Sequence, residues 1–171
     1  MPAPRLRSIE SMDESSALAR HAETVATVRA FAAAAGADLV VLIVDRGELD
    51  SALMVECSSG GEVELVDGDT VTTVPAETPI AAPPRAIPEL QLHAIPGTAI
   101  AVDPGSGELS APVGAIDQLV DGLRTLAGAF GGRSVATAEF PTSDPELPIT
   151  IAARAGEPAV LAAGGEEFLL P

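Results

Sequence analysis

The chain has 171 residues, of which 9 are Lys or Arg, 25 are Asp or Glu and 47% are hydrophobic, so its formal net charge is −16. A chain with so large an apolar fraction is not an intrinsically disordered protein. Its length suits one domain, residues 1–171, with a single core. The negative charge argues against nucleic acid and against an anionic membrane as partners. The chain contains no lysine, which excludes the lysine-dependent phosphate loop of nucleotide-binding proteins.

The sequence contains no recognisable targeting or membrane segment. Its first residues lack the apolar run of a secretory signal, and its longest dense apolar run, residues 39–44, is far shorter than the roughly 20 residues of a membrane helix. The single cysteine, Cys57, excludes an internal disulfide framework. We therefore expect a cytoplasmic protein without a membrane partner.

A first αβββ unit is predicted over residues 10–75. The pattern Ser-Met-Asp-Glu at 11–14 is typical of a capping box, and apolar residues at helical spacing continue the predicted helix to Ala35. Short runs rich in β-branched residues, separated by Gly-containing turns, then predict strands. These predicted strands are residues 39–44, 52–57, 62–66 and 70–74.

A proline-rich connector, residues 76–88, separates this unit from an extra β hairpin predicted at 89–107. Five prolines between Pro75 and Pro88 favour an extended chain. Within the hairpin, residues 90–95 and 98–102 have strand patterns.

A second αβββ unit is predicted over residues 108–171. A short strand at 108–111 leads into a helix for which Ser110 is the expected N-cap, and an apolar helical stripe continues to Phe130. The strands predicted after this helix are residues 134–140, 149–154, 158–162 and 166–170.

The two units are related by an internal repeat. At an offset of 95, Val25, Arg29 and Gly36 correspond to Val120, Arg124 and Gly131, and at an offset of 96, Leu53, Gly60 and Gly68 correspond to Ile149, Gly156 and Gly164. Each unit has one apolar helix stripe and half of a sheet to cover. We therefore predict an α+β fold in which duplicated (β)αβββ units form one antiparallel sheet against two helices with pseudo-twofold symmetry.

The sequence predicts no catalytic, metal or cofactor site. Cys57 is expected to be a buried strand residue, because a nucleophile needs a base and only His21 and His93 are available. Two histidines and one cysteine without short spacing do not form a zinc site, so we expect solvated or locally hydrogen-bonded histidines. The acids at 45–50 and 144–146 are expected to be solvated loop residues.

Three arginines are the candidate binding residues: Arg20, Arg29 and Arg124. Arg29 and Arg124 occupy matching positions in the two predicted helices. Arg124 has Asp121 three residues earlier as an ion-pair partner, whereas Arg29 has no acid at helical spacing. Arg154 is expected to be an exposed charge in a hairpin turn.

A helix followed by antiparallel strands, present twice and joined by a long connector, resembles one domain of the sliding-clamp family. Clamp domains repeat a β-α-β-β-β unit, and residues 5–9 and 108–111 correspond to the leading strands. The resemblance implies ring assembly and helices that face DNA with basic residues. Here Glu23, Asp117 and Asp121 occupy those helix faces, which puts the DNA role in doubt. A profilin-like sensor fold of the GAF or roadblock type is the alternative.

These features predict a non-enzymatic, acidic binding or assembly module. Exposed edge strands of an antiparallel sheet favour pairing with a second copy, so we expect a homo-oligomer, in the first place a dimer, and an additional protein partner. The alternatives are a small-molecule sensor, which needs an apolar pocket, a clamp-like DNA-associated accessory protein, and an enzyme that uses Cys57 or the loop acids.

Overall fold

The computed structural model describes residues 17–35, 37–47, 52–85, 101–102, 109–110, 115–131, 133–140, 146 and 148–170. Helical residues 17–20 precede the first of two longer helices, α1 (Ala22–Ala35) and α2 (Ala115–Ala129). The strands are β1 Leu39–Val44, β2 Leu53–Ser58, β3 Val63–Asp67, β4 Thr70–Val74, β5 Ala101–Val102, β6 Leu109–Ser110, β7 Val135–Phe140, β8 Ile149–Ala153, β9 Ala159–Ala163 and β10 Glu166–Leu170.

Eight of these strands form one antiparallel sheet in the order β10-β9-β8-β7-β1-β2-β3-β4. The predicted α+β class is therefore confirmed, and each of the eight strands predicted after the two helices is found within one residue of its predicted ends. The centre of the sheet is the pair β1–β7, in which Val40 lies opposite Ala138. Strands β4 and β10 are the two edges.

The short strand predicted at 108–111 is found as β6, in which Ser110 pairs with Ala101 of β5. Residues 111–114 lie outside the described residues, so the N-cap role expected of Ser110 stays a prediction. The β5–β6 pair spans the predicted boundary between the extra hairpin and the second unit. The predicted strand 90–95, the capping box 11–14, the leading strand 5–9 and His93 lie outside the described residues.

Both helices pack on the same face of the sheet. Helix α1 contacts β1, β2 and β3, while α2 contacts β7, β8 and β1. Buried side chains alternate along the strands of the sheet, as expected for a sheet with one covered face, except on the edge strand β10, which has no buried residue. On β1 the fully buried residues are Val40 and Leu42, and on β7 they are Ala136 and Ala138. One hydrophobic core therefore joins the two helices to the sheet.

The apolar stripes of the helices explain this packing. In α2, Leu119, Leu123 and Leu126 recur at intervals of four and three residues and are completely buried. In α1, Val28 and Phe31 are equally buried. The polar sides of both helices face away from the sheet.

Candidate functional site

Arg29 of α1 donates three hydrogen bonds to backbone carbonyls of its own chain. Its Nε atom lies 3.1 Å from the Gly61 carbonyl oxygen in the β2–β3 turn. The terminal nitrogens lie 2.8 Å from the Thr78 oxygen and 3.2 Å from the Pro75 oxygen, in the segment after β4. The guanidinium group therefore fastens one hairpin turn and the chain beyond β4 to the helix.

Arg124 of α2 makes comparable bonds in the other half of the sheet. Its Nε atom lies 3.1 Å from the Glu157 carbonyl oxygen in the β8–β9 turn, and a terminal nitrogen lies 3.2 Å from the Leu170 oxygen at the end of β10. The expected partner Asp121 is 3.8 Å away. Arg29 and Arg124 lie on opposite sides of the central β1–β7 pair, so they do not form one cluster.

The binding role predicted for Arg20, Arg29 and Arg124 remains a prediction. Arg20 is exposed in the helical residues before α1. The bonds of Arg29 and Arg124 to backbone carbonyls give these two residues an architectural role that the sequence alone did not suggest.

Arg85, which the sequence placed in the connector, ties the two helices together. Its backbone N–H donates to the Thr27 hydroxyl at 2.8 Å, and its Nε lies 2.8 Å from a Glu23 carboxylate oxygen. A terminal nitrogen donates to the Ala129 carbonyl at the end of α2, and the guanidinium lies 4.8 Å from the centre of the Phe130 ring. The proline pattern of this segment did not predict that Arg85 contacts both helices.

A polar cluster joins the start of α1 to the ends of β1 and β3. The His21 Nε2 atom lies 2.8 Å from Asp67 Oδ2, and Arg46 donates to Asp67 Oδ1 at 2.7 Å. Because an ionised carboxylate can only accept, Nε2 carries the proton. His21 is thus hydrogen-bonded to a residue 46 positions later in the sequence. The expectation of a solvated or locally hydrogen-bonded histidine is wrong for His21. These bonds, first that of His21 and then that of Arg46, hold the pKa of Asp67 below its usual value.

Replacement of Asp67 by asparagine is expected to lower the free energy of unfolding at pH 7 by about 1–2 kcal/mol, because it removes a carboxylate that accepts two bonds. A carboxyl group whose pKa is lower in the folded state than in the unfolded state stabilises the folded protein at pH values above its unfolded-state pKa, about 3.9. That contribution is lost as the pH falls through the lower pKa of the folded state. The difference between wild type and variant should therefore shrink below about pH 4. Urea denaturation at several pH values measures it.

The matched control is Asp69→Asn, in the exposed turn of the same hairpin. It should change stability by less than about 0.5 kcal/mol at every pH, as is usual for surface positions. A loss in Asp67→Asn that equals that of the control, or that persists unchanged at pH 3, would contradict the role of Asp67.

Cys57 is completely buried in β2, as predicted for a strand residue. Burial raises the pKa of its thiol above the usual value, although the positive charge of Arg29 opposes this. Its Sγ atom donates a 3.5 Å hydrogen bond to the Ser58 carbonyl oxygen. A buried, protonated thiol is a poor nucleophile, so this position offers little support to an enzyme that uses Cys57.

A surface cavity of about 240 Å³ lies at one end of the β1–β7 seam. Its walls combine apolar side chains with an ion pair between Arg133 and Asp45, whose atoms are 3.3 Å apart. Arg154, exposed as predicted, lines the same cavity. The apolar lining residues are Ile43, Ala52 and Val135.

The sheet face opposite α1 and α2, called here the open face, carries no helix among the described residues. Glu56 and Glu64 lie directly opposite one another there on β2 and β3. Burial raises the pKa of Glu56 above its usual value, and the carboxylates of Glu64 and Glu139 raise it further. The large hydrophobic side chain with the greatest exposure among the described residues of this face is Leu169 of the edge strand β10.

Comparisons of the chain with protein-family models, with curated proteins and with solved structures give no match. The resemblance to a sliding-clamp domain therefore rests on the topology predicted from the sequence. In the part of the chain that the structure describes, no group of three or more His, Cys, Asp or Glu residues could hold a metal ion. No helix there combines the length and the apolar character needed to cross a membrane.

Proposed function

We propose that the protein is a non-enzymatic assembly module in which two copies pair through the edge strand β10. The observation that carries this proposal is the exposure of large apolar side chains on that edge: Phe168 is 44% exposed and Leu169 is 74% exposed. An edge strand with apolar side chains and unpaired backbone groups is a template for another strand. A second copy offers the same strand.

The turn before β10 determines which of its backbone groups point outward. Gly164 and Gly165, both with positive φ, connect β9 and β10, and Ala163 pairs with Glu166 across this two-residue turn. Hydrogen-bonded and non-hydrogen-bonded positions alternate along an antiparallel pair. Phe168 therefore directs its backbone groups toward β9, whereas Glu167 and Leu169 direct theirs outward.

Antiparallel pairing of β10 with its copy uses these outward groups. With the twofold axis at Phe168, Glu167 of each chain lies opposite Leu169 of the other, and four backbone hydrogen bonds form. Phe168 then faces the partner's Phe168 at a non-hydrogen-bonded position, where side chains approach closely. No like charges oppose each other in this register, which matters for a chain of net charge −16.

The experiment removes one outward N–H from each edge. We expect the wild-type chain to have the mass of a dimer in light scattering at micromolar concentration, and Leu169→Pro to have that of a monomer. Proline is tolerated on an edge strand where its nitrogen faces outward, so the β9–β10 pair survives. The matched control, Val71→Pro, removes the corresponding N–H of β4 and should remain dimeric. A monomeric wild type, or a dimer lost only in Val71→Pro, would overturn the proposal.

We also propose that the fold arose by duplication of one αβββ unit with pseudo-twofold symmetry about the β1–β7 pair. Support comes from the arginine contacts: Arg29 binds Gly61 and Arg124 binds Glu157, and these acceptors are separated by 96 positions, the offset that relates the strands of the two halves. Both arginines also bind the chain at or just beyond the last strand of their unit.

The alternative functions have weaker support. The cavity at the β1–β7 seam, about 240 Å³, is smaller than the roughly 300–1,000 Å³ of typical small-molecule sites, which disfavours this cavity as the ligand site of a sensor. A clamp-like DNA role needs basic helix faces, whereas Asp117 and Asp121 are exposed on α2 and the Arg29 and Arg124 guanidinium groups are engaged by carbonyls.

A further inference from the structure

A continuous apolar row crosses five strands of the open face. Its members are successive cross-strand partners, so they lie side by side on one face. Ile43 is 39% exposed and Val71 is 55% exposed, and the others are partly buried. At about 4.8 Å per strand the row is roughly 19 Å long, the length of about 13 helical residues. The row consists of Val135, Ile43, Met54, Val66 and Val71.

A row of opposite character lies beside it. Glu56 lies two residues after the row member of β2, and Glu64 lies two residues before the row member of β3. These two glutamates face each other about 7 Å from the apolar row. Glu139 lies on the same face, opposite Leu39. Like charges directly opposite one another are destabilising. None of the ion pairs between described residues includes any of these three glutamates.

The occupant that suits both rows is a cationic, amphipathic one. A second copy placed face to face would bring the same carboxylates together, so the open face is a poor surface for self-association. A helix of about 13 residues matches the length of the apolar row. Helices α1 and α2 already pack on the other face of this sheet. Lys or Arg along one side of such a helix would lie over Glu56 and Glu64.

We propose that the open face binds a basic amphipathic helix of a partner protein, with its apolar stripe on the row from Val135 to Val71 and its cationic flank against Glu56, Glu64 and Glu139. This surface is separate from the β10 edge, and the proposal does not depend on pairing of two copies. Charge complementarity of this kind contributes selectivity and speeds association.

The probe is a fluorescent helical peptide of about 14 residues made of Leu and Lys, with the lysines on one flank of the leucine stripe. We expect anisotropy to report binding to the wild-type chain, weakened by added salt. The same peptide with Glu in place of Lys should not bind. Absence of binding by the lysine peptide, or equal binding by both peptides, would overturn the proposal.

Two protein variants test the location. Glu56→Gln with Glu64→Gln should weaken binding about tenfold, and Ile43→Asp should abolish it. The matched control, Glu62→Gln with Glu157→Gln, removes two charges from exposed turns and should bind like wild type. The variant Glu56→Gln with Glu64→Gln removes a repulsion between half-exposed side chains, so the protein should keep its fold. Circular dichroism verifies this. Equal weakening in both pairs would overturn the location.

A last variant separates this proposal from the proposed assembly. Leu169→Pro, designed to be monomeric, should bind the lysine peptide as tightly as wild type. If it binds the peptide while the wild type proves monomeric, the assembly proposal alone fails. If the wild type is dimeric but binds no peptide, the open-face proposal alone fails.

Discussion

Replacement of Leu42 by alanine is expected to lower the free energy of unfolding by about 3 kcal/mol, because it removes a completely buried side chain and leaves a cavity. Leu42 lies on β1, the strand that both helices contact. Its cross-strand partners, Val55 and Ala136, are also completely buried. The surrounding sheet cannot close the cavity without moving several strands. Guanidinium denaturation measures the loss.

The matched control is the next residue of the same strand. Ile43 points to the open face and is 39% exposed, so Ile43→Ala should cost less than about 1 kcal/mol. A similar loss in both variants would contradict the assignment of one covered and one open face.

Arg29→Ala is the second substitution with a large expected effect, about 2 kcal/mol of unfolding free energy. It removes the Arg29 donor from the partly buried carbonyl groups of Gly61 and Thr78, and unsatisfied groups of this kind are costly. The exposed Pro75 carbonyl loses one of its two donors and keeps the Thr78 N–H. Arg29→Lys should recover only part of the loss, because one ammonium cannot replace a planar guanidinium that spans three acceptors. Denaturation measures the loss, and amide hydrogen exchange at Thr78, whose N–H bonds to Pro75, locates it.

Arg20→Ala provides the control for charge. Arg20 is exposed at the same end of the chain, so its removal should change stability by less than about 0.5 kcal/mol. If Arg29→Ala were no more destabilised than Arg20→Ala, the three carbonyl contacts would have no energetic importance.

The strands were predictable because their signals are local. The run of residues 39–44 and the runs at 70–74 and 166–170 are bounded by turn residues, and β1, β4 and β10 have those same limits. The order of the strands was not predictable in the same way. Whether β1 pairs with β7 depends on residues far apart in sequence, and alternation along a strand identifies a buried face without identifying a neighbour.

The same distinction holds for the candidate site. Burial of Cys57 and the Asp121–Arg124 contact follow from positions within one strand or one helix. The contacts of Arg85 join residues that are 44 to 62 positions apart in the sequence. His21 and Asp67 are 46 positions apart. No spacing rule predicts contacts over such separations.

The central β1–β7 pairing also has a kinetic consequence. Ile43 pairs with Val135, 92 positions later, whereas every other neighbouring pair in the sheet joins strands that are consecutive within one half. Closing so long a loop costs conformational entropy before any stabilising contact forms, so the hairpins of each half should form first. Until the two halves meet, β1 and β7 are additional unpaired edges. Exposure of these edges before the two halves meet should promote aggregation during folding.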